Sequence, residues 1–163
     1  RRQRQMCIRD RALCEAAAYY KTQGKTLWDA MIEMYEQFGY YKDDIKAVTM
    51  KGIEGLQKIQ DIMNSLRQNP PAEFAGHKVV AVRDYKADTI KNLETGEVTP
   101  TGLPNSNVLY YELTNDAWVC VRPSGTEPKV KFYYGVKGTS LADADEKSAV
   151  MGKAVLDMVD SMM

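Results

Sequence analysis

From Ala12 onward, hydrophobic periodicity comes in blocks separated by turn residues. ALCEAAAYYK is rich in helix formers, with Leu13, Ala16, Ala17 and Tyr20 at helical spacing, and the pattern breaks at Gly24. Thr26 reads as an N-cap, and Asp29, three residues on, completes a capping-box variant. Leu27, Met31, Met34, Tyr35 and Phe38 form the apolar stripe of a second helix, which Gly39 stops. Together these predict a helical hairpin with too little surface to form its own core. It reads as the end of a domain whose beginning is missing.

A different rhythm follows. Tyr40–Met50 reads as a strand and Lys51–Leu66 as a helix, with Ile53, Leu56, Ile59, Met63 and Leu66 on one face and Asn69-Pro70-Pro71 as its stop. Val79–Tyr85 reads as a strand. Residues 87–106 form an irregular or weakly paired excursion, rich in glycine and proline. Val108–Leu113 and Ala117–Arg122 read as strands joined across Asn115-Asp116. In Lys129–Lys137, Val130, Phe132, Tyr134 and Val136 alternate with Lys129, Lys131, Tyr133 and Lys137, so one face is buried and the other wetter. A closing helix runs from about Leu141 to Met162, with Leu141, Ala144, Met151, Val155 and Val159 inside. Strands in succession with short connections pair antiparallel. The expected class is α+β: an antiparallel sheet of four to five strands covered by two helices.

Composition narrows the function. The 163 residues carry 22 basic and 22 acidic side chains, a zero balance that argues against general nucleic-acid or membrane-surface binding. No apolar run approaches bilayer length, and no secretory leader is visible. Cys7, Cys14 and Cys120 are few and unpatterned, which favours a reducing cytoplasm over a disulfide framework or a zinc pair. The single histidine, His77, reads as an exposed turn residue. The basic, aperiodic opening could be a solvated arm. However, QMCIRDR resembles a translated transposon-end adaptor, so residues 1–11 are set aside as non-native.

The candidate chemistry lies in RPSGTE, between two strands and followed by Pro128. A phosphate needs several donors converging on one spot. Arg122 offers a planar fork, and Ser124 and Thr126 each offer a hydroxyl and an amide. Gly125 can take positive φ and turn amides inward as a nest, while Pro123 and Pro128 stiffen the loop's shape. Glu127 would repel a phosphate, so it is expected to turn away and pair with Lys129 or hold Arg122 in place. The bland alternative is a solvated loop whose hydroxyls bond their own backbone.

RPSGTEPK resembles the C-terminal phosphate-binding loop of the α-D-phosphohexomutases, the phosphoglucomutase and phosphomannomutase enzymes. AAAYYKTQGKTLWDAMIEMYEQFGYY, KGIEGLQKIQDIMNSLRQNPP and VLYYELTNDAWVCVRPSGTEPKVKFYYGVKG extend the likeness to about residues 12–163, closest to the bacterial phosphoglucomutase branch. The resemblance implies that residues 12–39 close the third domain. Residues 40–163 would then be the fourth, a TATA-binding-protein-like phosphate-binding domain. It further implies an enzyme that interconverts hexose 1-phosphate and hexose 6-phosphate, most simply glucose phosphates, through a hexose 1,6-bisphosphate. Mg²⁺ would be bound outside this segment. Carried over by position, the phosphate clamp falls on Arg122, Ser124, Gly125, Thr126 and Lys129, with Pro123, Glu127 and Pro128 shaping the loop. The serine, metal-loop and sugar-reading motifs of the family are missing from this sequence, and neither Asp43-Asp44 nor Asp143-Ala144-Asp145 replaces them. The segment alone is therefore expected to be inactive, needing domains one to three as partners and a phosphosugar as substrate. The alternative is a stand-alone anion-binding or protein-interaction module of the same fold.

Overall fold

The computed structural model describes the backbone of residues 2–50 and 52–162; the side chains of 2–6 and of Ile53 lie outside the description. The expectations for Lys51 and Ile53 therefore fall outside the described residues. The chain divides into two compact units, Arg1–Tyr40 and Tyr41–Met163.

The first unit is the expected helical hairpin. Helix α1 spans Arg2–Thr22, so it takes in the basic segment ahead of Ala12. Helix α2 spans Leu27–Phe38. Its capping box is complete: the Thr26 hydroxyl accepts from the Asp29 amide at 3.2 Å, and the Asp29 carboxylate accepts from the Thr26 amide at 2.8 Å. Gly39 ends the helix at φ 110°, a conformation that disfavours any side chain. Within this unit the apolar stripe stays open. No α2 residue is buried, and Phe38 is 63% exposed.

The second unit is a sheet with two helices. Strands are β1 (Tyr40–Thr49), β2 (Glu73–Phe74), β3 (His77–Asp84), β4 (Thr89–Asn92), β5 (Val98–Thr99), β6 (Leu109–Leu113), β7 (Trp118–Pro123) and β8 (Lys129–Gly138). Helix α3 spans Gly52–Gln68, and α4 spans Leu141–Ser161. The order across the sheet is β1-β8-β7-β6-β3-β4-β5, with β2 paired to β3. The anticipated strands are β1, β3, β6, β7 and β8. Three short ones extend them, two of these inside the weakly paired excursion. Asp88 organises that excursion by accepting from the Thr101 amide at 3.0 Å and the Gly102 amide at 3.1 Å.

Period-two burial explains the core. Val119 and Val121 of β7 face the same side as Val130, Phe132, Tyr134 and Val136 of β8, and all are at most 1% exposed. Met151, Val155 and Val159 of α4 and Ile59, Ile62, Met63 and Leu66 of α3 join this core. Leu56 does not, although helical spacing placed it on the buried face; it is 56% exposed. His77 also departs from expectation. It is the first residue of β3, half-buried, and its Nδ1 lies 3.0 Å from the Thr114 carbonyl.

Polar bonds pin α3 to the sheet. Pro70 cannot donate to the Leu66 carbonyl, one of the orphan acceptors at the helix end, so the buried Tyr111 hydroxyl donates to it at 3.0 Å. Arg67 Nε donates to Asp84 at 2.8 Å, and the same guanidinium reaches Asn107 at 2.6 Å. The register of β3 on β6 shifts between Val79 and Ala81. This bulge changes which residues face inward, so that Val82 and Asp84 point toward α3.

Breaking a largely buried ion pair leaves an uncompensated charge. Arg67→Ala is expected to lower stability by about 3 kcal/mol in urea denaturation, against about 1 kcal/mol for Tyr111→Phe. Equal losses would contradict the burial argument.

Candidate functional site

The β7–β8 hairpin is held in register by Val121↔Phe132, Arg122↔Lys131 and Pro123↔Val130, then closed by the Ser124 amide donating to the Lys129 carbonyl at 2.8 Å. The Ser124 N–H is thereby consumed. Among the described residues, no partner is found for the amides of Gly125, Thr126 and Glu127 or for the hydroxyls of Ser124 and Thr126. Among the described residues, donors without a partner thus sit on four successive residues, Ser124 to Glu127, of one loop.

Gly125 does not take positive φ, contrary to expectation. The reversal is spread over bends at residues 125–128, so no single residue must turn left-handed. Its missing side chain opens space instead: a Cβ there would meet no atom within 4 Å. An anion can therefore approach the backbone directly.

Ser124, Gly125, Thr126, Glu127 and Pro128 form one wall of an open cleft of about 500 Å³, and Gly52 and Leu56 form the other. Helix α3 begins at Gly52, so the positive end of its dipole borders the same space. This explains the exposure of Leu56, which stands over the loop rather than over the sheet.

Arg122 and Lys129 do not line the cleft. Lys129 is engaged with Glu127 at 2.8 Å, the pairing anticipated for that carboxylate. Arg122 projects from the face opposite the buried valines. Directly across from it stands Lys131, a residue overlooked in the sequence although its alternation with Val130 and Phe132 was visible. Neither cation has a hydrogen-bond or ion-pair partner among the described residues. Like charges directly opposed across a strand pair repel, and of the two Lys131 also feels the Glu127 carboxylate.

The acidic pairs serve structure. Asp44 accepts from the Tyr134 hydroxyl at 3.1 Å and pairs with Lys46. Asp143 lies at the start of α4, where Lys147 and the Thr139 amide and hydroxyl hold its carboxyl down to about 2. Among the described residues no group of three His, Cys, Asp or Glu side chains could hold a metal ion. No helix among the described residues is long and apolar enough to cross a membrane.

The family description "Phosphoglucomutase/phosphomannomutase, C-terminal domain" matches residues 62–152, more than half of the chain. The chain belongs to that family. Phosphoglucomutases from two Staphylococcus aureus strains, bovine RF122 / ET3-1 and MSSA476, are 37% and 36% identical over 135 residues. These alignments cover 83% of this chain and 24% of each relative, so the chain spans about a quarter of the length of those enzymes. The solved open form of parafusin, a phosphoglucomutase from Paramecium, aligns over 88% of this chain and 24% of its own at 11% identity, with a TM-score of 0.47.

In this phosphoglucomutase/phosphomannomutase C-terminal domain, the hydrogen bond and charge of Lys129 hold the Glu127 carboxyl below the usual range. A depressed carboxyl contributes its stabilisation above the unfolded value of about 4.3 and loses it as pH falls through the folded value. Carboxyl NMR titration should place the Glu127 midpoint below that of a free glutamate. Lys129→Met should bring it back; an unmoved midpoint would show that the pairing does not persist in solution.

Proposed function

We propose that this chain contributes the substrate-phosphate clamp of a phosphohexomutase that interconverts hexose 1-phosphate and hexose 6-phosphate through a hexose 1,6-bisphosphate. Glucose phosphates are the first candidates, because the similar staphylococcal proteins are phosphoglucomutases. The supporting observation is the run of donors on Ser124, Gly125, Thr126 and Glu127 that have no partner among the described residues, beside the opposed cations Arg122 and Lys131. Such a loop suits a dianionic group better than a neutral sugar face.

The clamp would hold the phosphate that is not reacting. Amides and hydroxyls fix its position, and the exposed Arg122 side chain swings to it and donates two parallel bonds. Lys131 adds charge without that directionality. Glu127 keeps its carboxylate on Lys129 and offers only its amide. Binding energy gathered at this remote end orients the reacting end, where approach to about 3–3.5 Å is needed. Phosphoryl transfer depends largely on such positioning. The phosphoryl-carrying serine, the Mg²⁺ ligands and the sugar-reading groups belong, in this reading, to the three-quarters of the enzyme beyond this chain, in the cytoplasm. The chain alone would bind phosphate and not turn over.

Titration of the isotope-labelled 163-residue chain with inorganic phosphate or glucose 6-phosphate should shift the amides of Gly125, Thr126 and Glu127 at millimolar ligand. Arg122→Ala should weaken that response at least about tenfold, the value of one lost charge-assisted contact of about 1.5 kcal/mol or more. Shifts confined to other regions, or none at high concentration, would sink the clamp.

A further inference from the structure

The loop has a backbone tether to the start of α3, and its geometry is set by one glycine. The Met50 amide donates to the Pro128 carbonyl at 2.8 Å. Pro128 is the last loop residue before β8 and has no N–H, so this carbonyl is its only backbone handle. Met50 is itself held fast, because its side chain is 6% exposed and belongs to the core. The carbonyl of Met50, across the same Cα from the donor N–H, lies directly against the first turn of α3. A Cβ at Gly55 would sit 2.5 Å from the Met50 carbonyl carbon and press into its oxygen. Real Cβ atoms do not approach backbone so closely, and backbone cannot yield as a flexible side chain can. Gly55 is followed by Leu56, which with Gly52 forms the wall facing Ser124–Pro128. One short chain of contacts thus runs from helix to Met50 to Pro128 to the donor loop.

Resting on the phosphate-clamp reading, we propose that Gly55 is a positioning residue for substrate binding. By admitting the Met50 carbonyl against α3, it positions Met50, hence the hydrogen bond from its N–H to Pro128, and so the spacing of the loop donors from the opposite wall. Gly55 touches no ligand. Any side chain there displaces Met50, releases the Pro128 carbonyl and loosens the loop without altering a single donor. The other reading of Gly55, a packing glycine with no bearing on the site, predicts reduced stability with unchanged affinity in the folded protein.

The test compares the unsubstituted 163-residue chain with Gly55→Ala and with a semisynthetic chain in which an ester replaces the Thr49–Met50 peptide, deleting the Met50 N–H alone. Inorganic phosphate is titrated and followed at the Gly125, Thr126 and Glu127 amides; Val119 and Phe132 report the intact sheet. Both variants should need about tenfold more phosphate for the same shift while the sheet resonances hold their positions. Exchange of the Met50 amide in Gly55→Ala should be faster by a similar factor. If Gly55→Ala does not fold, the ester chain decides the question. Wild-type phosphate affinity in the ester chain, or in a folded Gly55→Ala with its Met50 amide exposed, would overturn the tether while leaving the clamp standing. A Met50 amide still protected in folded Gly55→Ala would overturn it too. No response in the unsubstituted chain would overturn the clamp, and the tether's role with it.

Discussion

Antiparallel pairing of β7 with β8 is the constraint from which the candidate site follows. In the observed register Val119 faces Tyr134, Val121 faces Phe132 and Pro123 faces Val130. Burial of such side chains stabilises by about 1.5–3 kcal/mol each, and a slip of one residue would turn the whole set to solvent. The same register leaves Arg122 opposite Lys131 on the other face. Repulsion between opposed like charges costs at most about 1 kcal/mol. Burial wins, so the strand pair tolerates an unfavourable cation pair beside the loop. The fold presents positive charge there because the hydrophobic register permits it.

Charge is arranged locally, since the chain as a whole balances 22 basic against 22 acidic residues. Glu127, the carboxylate nearest the free donors in sequence, is occupied by Lys129. The border of α3 adds the positive end of a helix dipole, worth a few tenths to about 1 kcal/mol for an anion at an exposed helix end. None of these contributions is large alone. They are concentrated within one turn of chain, where the amides of Gly125, Thr126 and Glu127 have no partner among the described residues.

Helix α3 links that loop to the core. Its far end is fixed by Tyr111 and by the Arg67–Asp84 pair, and its middle by Ile59, Ile62, Met63 and Leu66. At the near end Gly55 lies against Met50 of the core, while Gly52 and Leu56 line the cleft. A helix so anchored along its length is a stiff support for the loop that its first turn faces.

Much of this architecture is legible along the chain, for a physical reason: helices and strands bury one face at a fixed period. The alternation in Val130–Val136, the stripe from Ala144 to Val159 and the capping box at Thr26 and Asp29 are local patterns, and local geometry satisfies them. RPSGTE likewise announces its donors by composition. Leu56 was misread because helical spacing tells which residues share a face, not how far the sheet beneath that face extends. Gly125 was misread because a glycine permits positive φ without requiring it, and the length of the loop removed the need. Lys131, the spent Ser124 amide and the Met50–Pro128 bond depend on registers and on segments up to 78 residues apart coming together. Periodicity carries no information about those meetings; cross-strand pairing and the placement of α3 on the sheet decided them.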